Sequence, residues 1–184
     1  MQARMVHTID RNLVLDNLYC NWGYEDREAH PINCVDWTQA SAYCAWVGGR
    51  LPTESEWEYA ARDGGKDQIY PWGDASATCE YAVMDDGGDG CGEGRTWPVC
   101  SKPKGNTSHG LCDMSGNVWE WVQDWYHSSY TGAPTDGSAW EDPVGSNRVI
   151  RGGSFYGAAY LRASGRSYAS PSAQGGSHGF RCVR

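Results

Sequence analysis

The chain has 184 residues and a formal net charge of −8. That length fits a single domain with a substantial core, and the acidic balance argues against a nucleic-acid partner held on a basic surface. No stretch approaches the ~20 apolar residues that span a bilayer, and the opening MQARMVHTIDRNLVLDN lacks the apolar centre of a signal peptide.

The apolar residues are unusual in kind. There are 10 Trp and 11 Tyr against 2 Phe, together with 24 Gly. A core of large amphipathic rings needs partners for their N–H and O–H groups. Abundant glycine implies many tight turns and an irregular, loop-rich architecture.

Residues 1–32 are weakly patterned. A first helix is expected over about Trp37–Val47, where Trp37, Ala40, Cys44 and Val47 fall at helical spacing. Asp36 or Thr38 can cap it, and Gly48-Gly49 ends it. A second helix is expected over about Glu54–Arg62, because Thr53 and Glu56 form a capping box and Gly64-Gly65 stops the run. No helix is expected from Asp63 to Tyr160. Short strands are expected at Val118–Val122, Arg148–Ile150 and Gly179–Val183, an acidic loop at Gly87–Gly94 and a long surface loop at Gly132–Gly145.

The densest chemistry lies in Gly110–Tyr126, GLCDMSGNVWEWVQDWY. Trp119, Trp121 and Trp125 are a core signal. Asp113 and Glu120 flank a Gly116-Asn117 turn, and oxygen donors around a turn suit a hard cation such as Ca²⁺.

Eight cysteines (Cys20, Cys34, Cys44, Cys79, Cys91, Cys100, Cys112 and Cys182) contain no C-x-x-C pair, which disfavours zinc ribbons and thioredoxin-type motifs. An even count spread over loops reads as disulfides and an oxidising compartment, either extracellular or in the periplasm or cell envelope. With no signal peptide in view, the expectation is a chain that lacks its native start. The alternative is a cytosolic protein with free thiols.

Four signatures occur in order: GRLPTESEWEYAAR (49–62), YPWGD (70–74), the 110–126 segment, and RVIRGGSF…GFRCVR (148–184). Together they resemble the formylglycine-generating enzyme family, also called the sulfatase-modifying factor domain. The resemblance covers roughly residues 33–184. It implies an α+β, variant C-type-lectin-like fold with two helices and short antiparallel strands. Family members usually begin with a Met-Gly motif and a Glu-Val-Thr-like strand. Residues 1–32 show neither and are read as a divergent segment, truncated or replaced, ahead of a domain at 33–184.

The resemblance implies a structural Ca²⁺ held by the Asp113 and Glu120 side chains and the Gly116 and Val118 carbonyls. The competing reading is that both carboxylates only brace a tight turn. A second family Ca²⁺ site falls on Val83 and Cys91, where its side-chain ligands are lost. Asp85, Asp86 and Asp89 could rebuild it, but a Cys79–Cys91 disulfide is the expected substitute, closing a loop for about 3 kcal/mol in the chain-entropy model. The resemblance also pairs Cys44 with Cys182. Proximity in sequence pairs Cys100 with Cys112 and leaves Cys20 with Cys34.

The family enzyme oxidises a substrate cysteine with copper and O₂, through two thiolates that suit Cu(I). Gly157 stands at the first thiolate position, the segment of the second is shortened, and there is no Cys between Ser154 and Cys182. Copper is therefore not expected. A bridge found in human-type members falls on Ala61 and Ala163. An iron-dependent branch needs an H-x-x-x-H-x-E run, which this chain lacks. His7, His30, His109, His127 and His178 are read as solvated loop residues.

The leading expectation is a non-catalytic module that binds a peptide, protein or glycan in a groove lined by Trp119, Ser154, Tyr156, Tyr160, Arg162 and Arg166. A competing reading places several of these, above all Trp119 and Arg162, in the core. The alternative function is a divergent oxidoreductase acting on a protein cysteine or another substrate with a different metal site. A third possibility is a structural or regulatory appendage of a larger protein.

Overall fold

A computed structural model describes residues 19–184. The readings for residues 1–18, including His7, lie outside the described residues. Two helices, α1 (Trp37–Trp46) and α2 (Glu54–Ala61), precede four strands, β1 (Trp119–Trp125), β2 (Arg148–Arg151), β3 (Arg166–Ala169) and β4 (His178–Phe180). Short 3-10 turns occur at Glu25–Arg27 and Pro103–Gly105. This is the loop-rich α+β fold of the C-type-lectin-like class.

Both helices are set by their first turns. Asp36 accepts the Gln39 N–H while Gln39 bonds back to Asp36, and Thr53 and Glu56 do the same for α2. These reciprocal bonds satisfy N–H groups that a helix start leaves without partners. Arg50 clamps the second box from outside, reaching both Glu56 oxygens at 2.6 Å.

The sheet order is β3-β2-β1-β4, antiparallel except for the β1·β4 pair. Alternation along the strands gives the sheet two covered faces. On one face α1 supplies Ala40 and Cys44, which pack with Leu51 against Trp121 and Ile150. On the other, α2 supplies Trp57 and Ala61 against Met114, Val122, Val149 and Ala163. Ala61 and Ala163 are both fully buried there. A third cluster of Ala82, Met84 and Leu161 holds the long loops beside the sheet.

Three strands fall close to their expected places. β3 has no counterpart in the sequence reading, because Arg-Ser-Tyr-Ala shows no apolar alternation. It forms as an edge strand in register with β2, Arg166 opposite Arg151 and Tyr168 opposite Val149. β4 runs parallel to β1, where only antiparallel strands were expected.

The sulfur atoms pair as Cys20–Cys34, Cys44–Cys182, Cys79–Cys91 and Cys100–Cys112. Cys44–Cys182 ties α1 to the chain after β4. Cys20–Cys34 joins residues 19–32 to the body, helped by bonds from Asn33 Nδ2 to the Tyr19 carbonyl (2.6 Å) and from the Asn21 N–H to Asn33 Oδ1 (2.7 Å).

Candidate functional site

The turn before β1 is built from backbone that few residues tolerate. Gly116 has φ +81°, and a Cβ there would sit 2.4 Å from the Val83 carbonyl oxygen, so only glycine fits. Asn117 follows at φ 64° and is buried. Its amide recovers the conformational cost by bonding both the N–H and the carbonyl of Trp97, each at 3.1 Å. Asp113, at φ 53°, accepts the Cys100 N–H at 2.7 Å. Val118 then leads into β1.

Glu120 is the hub of this region. It takes the Trp57 indole N–H at 2.7 Å and the Arg181 guanidinium on both oxygens at 2.5 Å. Arg181 also donates to the carbonyls of Cys112 and Asp113. Burial pushes the Asp113 carboxyl above its ordinary range, opposed by the Cys100 N–H and Arg181 and reinforced by Glu120. Two carboxylates thus share one arginine.

The residue types here, carboxylates and turn carbonyls, are those that suit a hard cation. Asp113 is short of positive charge, and the Gly116 and Val118 carbonyls accept no turn or loop backbone bond among the described residues. Glu120 is already committed to Trp57 and Arg181, and only the remaining lone pairs of its oxygens could face an ion. The Cys100 and Cys112 sulfurs lie beside Asp113 but are joined to each other.

Beyond Gly152-Gly153 the chain forms the loop that the resemblance assigns to catalysis. Ser154 is buried, and its Oγ accepts the Tyr156 N–H at 3.4 Å. Phe155 is fully buried and supports Tyr156, ring to ring at 4.1 Å. Tyr156 and Tyr160 stand 41% and 48% exposed, so their rings are presented rather than packed away. Tyr160 tilts against the partly buried Trp119 at 5.3 Å, and Tyr156 meets Tyr19 edge-on at 5.9 Å. Desolvation, then the hydrogen bond with Tyr19, pushes the Tyr156 phenol up to about 12.

Two ring pairs thus form on this loop, Tyr160 with Trp119 and Tyr156 with Tyr19, and Ser154 braces the second. Arg162 is exposed rather than in the core, because Leu161 and Ala163 on either side take the buried positions. Arg166 is turned away. On β3 it shares a sheet face with Arg151, and it forks onto Glu54 with both bonds at 2.8 Å while donating to the His127 carbonyl. Tyr19 pairs with Tyr156 yet was missed by sequence reasoning; it lies in a segment without pattern, and only long-range packing brings it there.

Gly157 closes the Ser154 turn. All eight cysteines are spent in disulfides. The pair of soft thiolates that a Cu(I) site requires is not in the donor set of this loop.

With fold and geometry in place, the comparisons give the class. The chain belongs to the family of sulfatase-modifying factor enzyme 1-like domains, which matches residues 15–184. It is similar to the formylglycine-generating enzyme of Streptomyces coelicolor, at 38% identity over 85% of this chain and 53% of that protein. It is also similar to a mouse protein named inactive C-alpha-formylglycine-generating enzyme 2, at 36% identity over 88% of this chain and 51% of that protein. Among solved structures, PvdO from Pseudomonas aeruginosa superposes with a TM-score of 0.71 at 34% identity, covering 83% of this chain and 60% of that one. The chain spans about half the length of the curated relatives it matches.

Proposed function

We propose that this domain is a non-catalytic binding module whose Tyr156–Tyr160 loop surface holds a peptide or glycan. The observation that carries the reading is a substitution of chemistry at one place. Where the family's enzyme needs thiolates, this loop has Gly157 and exposed tyrosines, and every cysteine of the chain is bridged. Tyrosine faces beside Trp119 stack on the apolar edges of sugars or on proline and aromatic side chains, and the phenols bond to ligand hydroxyls or carbonyls. Each such ring contact contributes about 1 kcal/mol beyond its buried area. The exposed Arg162, two residues beyond Tyr160, offers a fork for carboxylate or carbonyl oxygen.

A structural Ca²⁺ at the turn before β1 belongs to this reading, held by Asp113, Glu120 and the Gly116 and Val118 carbonyls. It would neutralise Asp113 and fix the strand from which Trp119 projects. The four disulfides favour an oxidising compartment outside the cytoplasm.

A second reading is a divergent oxidoreductase of the same family. It is favoured by identity to the Streptomyces enzyme as high as that to the inactive mouse protein. Glycan and peptide arrays probed with the domain and with Tyr156→Ala and Tyr160→Ala variants separate the two. The module reading expects selective binding that either variant weakens about tenfold. Signals that both variants leave unchanged would reject the loop surface as the binding site.

A further inference from the structure

One motif lies outside both the aromatic loop and the turn before β1. Asn106-Thr107-Ser108 is the only Asn-X-Ser/Thr triplet in the chain, and X is not proline. That pattern accepts an N-linked glycan where its amide stands on the surface of a secreted protein. The triplet is short and common, so its placement decides.

The triplet sits in the loop closed by Cys100–Cys112, and its backbone is fixed on both sides. Before it, the Pro103–Gly105 turn is pressed on the Tyr81 carbonyl, whose oxygen a Cβ at Gly105 would overlap. After it, Thr107 donates its N–H to the Leu111 carbonyl at 3.0 Å, and its Oγ1 accepts the Leu111 N–H at 3.1 Å. The buried Thr107 is thus the anchor of the triplet. Asn106 leaves the turn in extended backbone, φ −72° and ψ 150°, and Ser108 is exposed.

The Asn106 amide differs from the others. Asn21, Asn33, Asn117 and Asn147 each donate through Nδ2 to an oxygen of the protein. The first three are also buried, so a sugar on any of them would break the packing. Asn106 Nδ2 makes no hydrogen bond among the described residues and is not buried, while its Oδ1 is the atom turned inward, buried and unpaired. The nitrogen that would carry the sugar is therefore the solvent-facing end of the side chain, and no bond has to break to free it. The four disulfides place the domain in an oxidising compartment, which is where secreted proteins mature.

We propose that Asn106 is an acceptor for an N-linked glycan. The donor is an oligosaccharide carried on a lipid pyrophosphate. Nδ2 bonds to its anomeric carbon, the bond from that carbon to the pyrophosphate oxygen breaks, and Nδ2 gives up one proton. The lipid pyrophosphate leaves, and nothing is oxidised or reduced. The assignment does not rest on the module reading. Its test is synthesis of the chain behind a cleavable leader into microsomes that contain oligosaccharyl transferase, with the product mass read before and after peptide-N-glycosidase. The expected result is one glycan, located at position 106 by peptide mapping and removed by the glycosidase. Asn106→Gln should abolish it. Ser108 Oγ also donates to Asp63 at 2.6 Å, so Ser108→Thr, which keeps both the hydroxyl and the acceptor pattern, should retain the glycan. A leader-cleaved product without glycan, or a glycan that persists in Asn106→Gln, would overturn the assignment.

Discussion

Glu120 shows how one side chain joins the two halves of this structure. Its carboxylate is almost fully buried, and it receives Trp57 from α2 and Arg181 from the chain after β4. Breaking a buried ion pair leaves the remaining charge without a partner. Arg181→Ala should therefore cost about 3 kcal/mol in urea unfolding; a loss below about 1 kcal/mol would mean that water replaces the arginine at little cost. Asp113 makes a sharper test, because its folded-state pKa is raised by burial. Without calcium the native state keeps a proton that the unfolded chain has released above about pH 4. The Asp113 contribution is then most favourable below that point and declines as pH rises through the folded-state value. A calcium ion in the proposed site would bind the ionised form, so its stabilisation should be larger at about pH 7 than at about pH 4. Thermal unfolding with and without calcium at both pH values checks this, and Asp113→Ala should abolish the calcium effect. Asp63 behaves in the opposite sense. Lys66, then Ser108, with His109 also bonded to it, hold its carboxyl well below the usual range. The stability it confers is present above the ordinary aspartate pKa and is lost as pH falls below it.

Helices α1 and α2 were legible because local bonds define them. The capping boxes are four-residue patterns, and the paired Gly stops are equally local. Thr53→Ala should cost about 1 kcal/mol of stability, read from the denaturation midpoint, and the loss should be larger than for Ser55→Ala on the same turn. β3 was not legible, because an edge strand of Arg, Ser, Tyr and Ala owes its form to its register with β2 rather than to its own pattern. The same fact explains Arg166. Along the sequence it groups with Tyr156 and Tyr160. Strand alternation instead places it on the face of Arg151, where Glu54 and the rings of Tyr126 and Tyr130 receive it. The bond that Asp124 accepts from Trp140 was hidden for a related reason. Trp140 comes from a long loop without pattern, and only tertiary structure brings its backbone N–H to Asp124.

At the scale of the whole molecule, a small sheet and two short helices support long loops, and covalent closure is a major part of the frame. Cys44–Cys182 spans 138 residues. Replacing both by alanine should remove roughly 4–5 kcal/mol by the loop-entropy relation, measured by chemical denaturation under non-reducing conditions. The motifs that name the family are those that build this frame: the α2 capping box, the Gly116-Asn117 turn and the Glu120–Arg181 pair. They are legible in sequence because each demands particular residue types. The proposed loss of catalysis rests on one loop, where Gly157 stands at the place that the resemblance gives to a copper thiolate. The most direct test of that departure is copper-dependent O₂ consumption by the purified, disulfide-intact domain, with a cysteine-containing peptide and a competing Cu(I) chelator present. A frame without thiolates should leave the copper on the chelator and consume no O₂ above the protein-free control. Stoichiometric Cu(I) retention with O₂ turnover that depends on the peptide would contradict the account.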